Sequence, residues 1–116
     1  MKLPHHHDPV TIDLMTHIPG DKEIENVSEA MKQLGDKSRL KIFWLLCHTE
    51  ECVIDIAEAV GMSSPAVSHH LRLLKSAGLI TSHREGKEML YKASDSCLAE
   101  ELHHMIEKVA LIACPK

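Results

Sequence analysis

SSPAVSHHLRLLKSAGL, residues 63–79, decides how the rest of the chain has to fold. Ser63 is a good N-cap, because its hydroxyl can accept an orphan N–H of the first helical turn. Pro65 falls in that turn, where its missing N–H costs nothing. Val67, Leu71 and Leu74 recur at i, i+4, i+7 as one apolar stripe, and Gly78 supplies a left-handed stop. Ser64, Ser68, His69, Arg72 and Lys75 project from the rest of the cylinder, short donors near its start and long cations towards its end. Such a helix fits a DNA major groove, where small side chains allow close approach and Arg can fork onto guanine. The same residues would also suit a solvated surface helix, so its neighbours have to decide.

Immediately upstream, Gly61-Met62 makes a tight turn out of a short helix at residues 52–60, with Val53, Ile56 and Val60 inward. Two short helices joined by a Gly turn form a helix-turn-helix. Before them, Asp36 caps a helix whose Leu40, Phe43, Trp44 and Cys47 fall on one side. From Asp21, read as an N-cap, Ile24, Val27, Met31 and Leu34 repeat at helical spacing up to Gly35. Asp8-Pro9 opens a short helix through Met15, and Pro19-Gly20 breaks it.

Downstream of Gly78 the period changes to two. Residues 79–84 and 88–92 are strand-like around Glu85-Gly86-Lys87, a hairpin with Gly at its tip. This is a wing, with Arg84 and Lys87 flanking the tip where they can reach a phosphate backbone or minor groove. Ser94 or Asp95 then caps a last helix. Its Leu98, Leu102, Met105, Val109 and Ile112 alternate steps of four and three, a seam suited to the same helix of a second subunit. The expected fold is mainly α with a small β-hairpin, a homodimeric winged helix-turn-helix. Residues 1–20 are read as an arm carrying His5, His6 and His7, and residues 21–116 as the domain.

Composition agrees with a small domain that gains from a partner. The chain has 116 residues, 44% hydrophobic but only 3% aromatic, so its core must be aliphatic. No apolar run approaches the roughly 20 residues of a membrane span, and no signal-peptide pattern opens the chain; a cytoplasmic protein without a membrane partner is expected. Cys47, Cys52, Cys97 and Cys114 are too scattered for a disulfide scaffold, which leaves buried thiols, metal ligands or redox sensors. The net charge of −4 speaks against nucleic acid, but residues 61–92 carry 5 Lys/Arg against 2 Asp/Glu. Local field steers a phosphate backbone, not net charge. With no Gly-rich phosphate loop, nucleophile elbow or H-E-x-x-H, an enzyme is not expected.

Three stretches, LGDKSRLKIFWLL (34–46), ECVIDIAEAVGMSSPAVSHHLRLLKSAGLI (51–80) and HREGKEMLYKASD (83–95), carry in order D-x-[ST]-R-L, C-V-x-D-[IL]-A, A-V-S-H-x-L-R-x-L and R-x-G-K before Tyr91. Together they resemble the ArsR/SmtB family of metal-responsive repressors over about residues 27–112. The resemblance implies a homodimer that binds an imperfect palindrome in double-stranded operator DNA and releases it on metal binding or thiol chemistry. Neither family metal site transfers intact. Ile54 stands where a soft-metal site would have its second cysteine, beside Cys52. On the last helix Asp95 and Cys97 occupy the first pair of the zinc site, but Lys108 and Leu111 stand at its distal pair.

Other ligand types are dense nonetheless. Cys47, His48 and Cys52 make a C-H-x-x-x-C cluster at a helix end, suited to zinc, cadmium or another soft or borderline ion; Cys47 also fits a buried small hydrophobe. His104, Glu107 and Cys114 lie along the last helix, with Asp95 and Cys97 as second choice. His103 is read as paired with Glu107 on a solvated face, and His70 as a packed, hydrogen-bonded ring. The function expected is a sequence-specific repressor that reads DNA with Ser63, Ser64, Ser68, His69, Arg72, Lys75, Arg84 and Lys87 and is released by a metal ion. A dithiol switch in the same fold and a dimeric adaptor without specific DNA binding are the alternatives.

Overall fold

The computed structural model describes residues 8–111. The His5–His7 run, Ile112 and Cys114 therefore lie outside the described residues. Six helices and one hairpin follow in the order α1 (Pro9–Thr16), α2 (Asp21–Leu34), α3 (Lys37–His48), α4 (Val53–Val60), α5 (Ser64–Ser76), β1 (Ile80–Glu85), β2 (Glu88–Ala93) and α6 (Cys97–Ala110). Asp8 caps α1, taking the Thr11 N–H at 2.8 Å, but the helix buries no residue. Asp21 is not a cap. Gly20 holds that position, and Asp21 starts α2, where its charge faces the positive end of the helix with Glu23.

α3 is the central element, in contact with α2, α4, α5, α6 and β2. Surrounded on several sides, it buries Ile42, Phe43 and Leu46 and leaves Leu40, Trp44 and Cys47 half-buried. The single stripe expected from spacing is thus rotated, because a helix packed all round has no one inner face. Around it gather Ala30 of α2, Ile56 and Ala57 of α4, the Val67–Leu71–Leu74 stripe of α5, and Ala99 and Leu102 of α6.

The turn between α4 and α5 is made by Gly61 at φ +70°, a left-handed conformation that an L side chain rarely adopts. Ser63 then caps α5, accepting the Ala66 N–H at 3.3 Å. At the other end the Leu79 N–H reaches the Leu74 carbonyl at 3.0 Å around Gly78, the six-to-one closure of a Schellman stop. In the hairpin Glu85 pairs with Glu88, so Gly86 and Lys87 form a two-residue connection with Gly86 at φ +63°. Glu51 and Tyr91 exchange both backbone hydrogen bonds, 3.1 and 2.9 Å, and fasten the wing to the loop before α4.

α6 is capped by Ser96, not by Ser94 or Asp95. The Ser94 hydroxyl is spent elsewhere, donating to the Gly78 carbonyl at 2.8 Å. α6 has two different faces. Ala99, Leu102 and Glu107 are buried, whereas Met105 and Val109 are 44% and 77% exposed. With Met31, Leu34 and Leu40 they border an apolar groove between α2 and α6, and Ile24, Val27 and Met31 of α2 are exposed as well.

Candidate functional site

Two constellations are built on this frame, one outward-facing and cationic, one half-buried and rich in ligands. On α5, Ser63, Ser64, Ser68, His69, Arg72 and Lys75 are all exposed, while Val67, Leu71 and Leu74 are buried. Arg72 donates through Nη2 to His69 Nδ1 at 3.0 Å, which holds the guanidinium along the helix. Lys75 Nζ donates to Ser82 Oγ at 2.6 Å, tying the end of α5 to β1. Arg84 and Lys87 are exposed on the hairpin.

Behind this face His70 is half-buried. Arg39 Nη1 donates to its Nδ1 at 3.2 Å, Arg39 Nε donates to the Gln33 carbonyl at 2.8 Å, and the Arg39 N–H bonds Asp36 Oδ2 at 3.0 Å. Burial pushes the His70 ring below its ordinary pKa, and the charges of Arg39 and His69 act the same way against the opposing pull of Asp36. A guanidinium has no lone pair to offer, so His70 must be the acceptor and therefore neutral. His70 braces α5 on the start of α3; it does not face outward.

At the other end of α3, three side chains converge. His48 Nε2 lies 3.1 Å from Glu107 Oε2, His103 Nε2 lies 3.1 Å from Glu107 Oε1, and the two Nε2 atoms are 3.0 Å apart. Trp44 Nε1 donates to Glu107 Oε2 at 3.2 Å. Burial pushes the Glu107 carboxyl up, but the hydrogen bond and charge of His103, with the bonds from Trp44 and His48, outweigh it and hold the group below its ordinary value. His48 and His103 open onto a cleft of about 560 Å³ that Cys47, Asp95 and Glu100 also line.

Of the residues expected as ligands, the fold brings His48 and Glu107 together. The third member of their cluster is His103, while His104 is exposed. The reason is the line Ala99–His103–Glu107, which faces α3 and turns the next residue to solvent. The sequence pairs His103 with Glu107, and the structure keeps that pair at 3.1 Å, but it buries Glu107 and half-buries His103 instead of leaving them on a solvated face. Cys52 is the half-buried N-cap of α4 with no capping bond from its side chain, and Cys97 is exposed at the start of α6. Neither belongs to a three-ligand group among the described residues, and Cys47, Cys52 and Cys97 are not disulfide-bonded to one another. Among the described residues a second such group, Glu50–His83–Glu85, sits on the wing side with His83 and Glu85 exposed. The His48–His103–Glu107 donor set fits a borderline divalent ion: tetrahedral bonds of ~2.0–2.1 Å put ligand atoms about 3.3 Å apart, close to the spacing here.

Comparison with known proteins agrees with this architecture. The model of the arsR family of bacterial regulatory proteins matches residues 36–82, from the cap of α3 into β1. The HTH-type transcriptional repressor SmtB of Mycobacterium tuberculosis is 34% identical over 93 residues, 79% of this chain and 67% of that protein. A homolog of the cadmium resistance transcriptional regulatory protein CadC from Staphylococcus aureus is 37% identical over 87 residues, 74% of this chain and 69% of its own. Among solved structures, the homodimeric winged helix-turn-helix DNA-binding domain of Mb0332 from Mycobacterium bovis superposes with a TM-score of 0.70 at 33% identity, over 79% of this chain and 87% of that one. The helix-turn-helix, the wing and these relatives converge: the chain belongs to the arsR family of bacterial regulatory proteins and is a winged helix-turn-helix transcriptional regulator.

Proposed function

We propose that the protein is a homodimeric repressor of the cytoplasm that grips an imperfect palindrome in double-stranded operator DNA and lets go when a soft or borderline metal ion binds. The observation that carries this is the division of α5 into a fully buried stripe and an exposed row of Ser64, Ser68, His69, Arg72 and Lys75. Short side chains at the start of the helix admit it to the groove, and Arg72 reads a base edge. Arg84 and Lys87 on the wing supply sequence-independent contacts to the backbone. Dimerisation follows from the apolar groove of α2 and α6, too continuous to stay open on a lone protomer, and from the likeness to a homodimeric domain. Metal as inducer is supported by the kinship with a cadmium resistance regulator. A mobility-shift assay on the DNA upstream of the chain's own gene tests the reading face. Arg72→Ala should cost about 1–3 kcal/mol and relax specificity at one base step. Lys87→Ala should weaken all sequences alike and lower the salt slope by about one. Operator binding by Arg72→Ala as tight as the wild type's would refute the assignment.

A further inference from the structure

We propose that His48, His103 and Glu107 form a binding site for one divalent cation of the zinc class, and that this ion is the inducer. The second half rests on the repressor function proposed above; the first does not.

The geometry suits a cation because protons cannot satisfy all three contacts at once. The two Nε2 atoms lie 3.0 Å apart, and each lies 3.1 Å from a different oxygen of the one carboxylate, His48 from Oε2 and His103 from Oε1. If both rings carry Nε2–H towards the carboxylate, the two N–H donors crowd each other. If one ring accepts from the other, its lone pair faces a carboxylate oxygen instead. Every choice of tautomer leaves one of the three contacts unmatched. A single ion held between the two Nε2 atoms and the carboxylate turns these contacts into ligand pairs, at spacings near those of tetrahedral bonds.

The surroundings suit such an ion. Trp44 Nε1–H holds Glu107 Oε2 from behind, an outer contact that orients the carboxylate. Glu107 is buried and both histidines are half-buried, yet the cleft lined by Cys47, Asp95 and Glu100 gives access and room for a fourth ligand. Two imidazoles and a carboxylate favour zinc, cobalt or nickel over strongly thiophilic ions. All three ligands come from one protomer, so the ion clamps the end of α3 to the middle of α6. α6 carries the open apolar face, and the start of α3 holds α5 through Arg39 and His70. An ion here therefore stiffens the joint between the face that pairs protomers and the helix that reads DNA.

The test titrates zinc and, separately, cobalt(II) into the full chain, reduced and metal-free. Trp44, the chain's one tryptophan, has its ring 4.6 Å from that of His48 and reports binding by emission; cobalt reports tetrahedral ligation by visible absorption. One ion per chain, bound more tightly than micromolar, is expected, with operator affinity falling ~100-fold, about 2.7 kcal/mol. His103→Gln and Glu107→Gln should each weaken zinc binding by more than the ~10–100-fold typical of losing an outer-shell partner. Both should keep metal-free operator affinity and lose the zinc response, while His104→Gln behaves as wild type. If His103→Gln fails to fold, by circular dichroism, His48→Gln poses the same question from the other helix. A wild-type chain that takes no ion at micromolar concentration overturns the site, as does equal loss in His104→Gln and His103→Gln. Zinc-driven release that persists in Glu107→Gln overturns the inducer role. A wild-type chain that never binds operator refutes the repressor role instead, and the zinc titration still judges the site.

Discussion

α5 and α6 look like variations on one helix. Each is capped by a serine, Ser63 or Ser96, whose hydroxyl accepts the N–H three residues on. Each carries an adjacent pair of histidines, and in each the histidine at the same distance from the cap turns inward, His70 in one and His103 in the other. Both inner rings meet α3, at opposite ends. There the likeness stops. His70 meets Arg39, a permanent donor, and its Nδ1 has a single role to play. His103 meets a second imidazole and a carboxylate, three groups that no distribution of protons can pair completely. The same dipeptide braces one helix and prepares a ligand set in the other, and the charge of its partner makes the difference.

The comparison can be broken or sharpened experimentally. The largest effect belongs to the outer face of α6. Val109→Glu sits at a position 77% exposed in the protomer, so folding should survive. In a dimer it would bury an unpaired charge at about 3–5 kcal/mol, so sedimentation should show a monomer with operator affinity down more than 100-fold. A dimer of wild-type affinity would remove α6 from the interface. Next comes the inner stripe of α5, where Leu74→Ala at a fully buried position should cost about 2–5 kcal/mol in urea denaturation. Ser68→Ala on the outer face should stay within about 0.5 kcal/mol, and comparable losses in the two would mean that α5 has no reading face.

The smallest effect is acid sensitivity at the brace. His70 titrates below its ordinary 6.5 in the folded protein, so the unfolded chain takes up the proton first as pH falls. Its contribution is therefore complete above about pH 6.5 and is lost as pH drops through the lower, folded value. Thermal melts at pH 7.5 and 5.5 should show a larger acid loss for wild type than for His70→Gln. Equal losses would mean that the Arg39–His70 contact is not what braces α5.

Most of the DNA-binding half was legible in the sequence. The stripe of α5, its cap and stop, the Gly61 turn and the hairpin each depend on residues within a few positions of one another, and local sterics and hydrogen bonding settle them. The ligand-rich half was only partly legible. His48 and Glu107 stood out as ligand types, but pairing them with His103 depends on how α6 is rotated against α3, and a one-residue rotation exchanges His103 for His104.

By itself, then, the sequence determined the order of elements, the amphipathic faces and the block of positive charge on the helix-turn-helix and wing, because each is written in the spacing of near neighbours. Only the tertiary structure decided that Ser96 caps α6, that α3 is buried on more than one side, and that Trp44, His48, His103 and Glu107 share one site. Those outcomes join residues separated by a strand pair and two helices. Which hydroxyl is already occupied, and which of two adjacent histidines faces inward, is settled by the packing of whole elements against α3 and by no local rule.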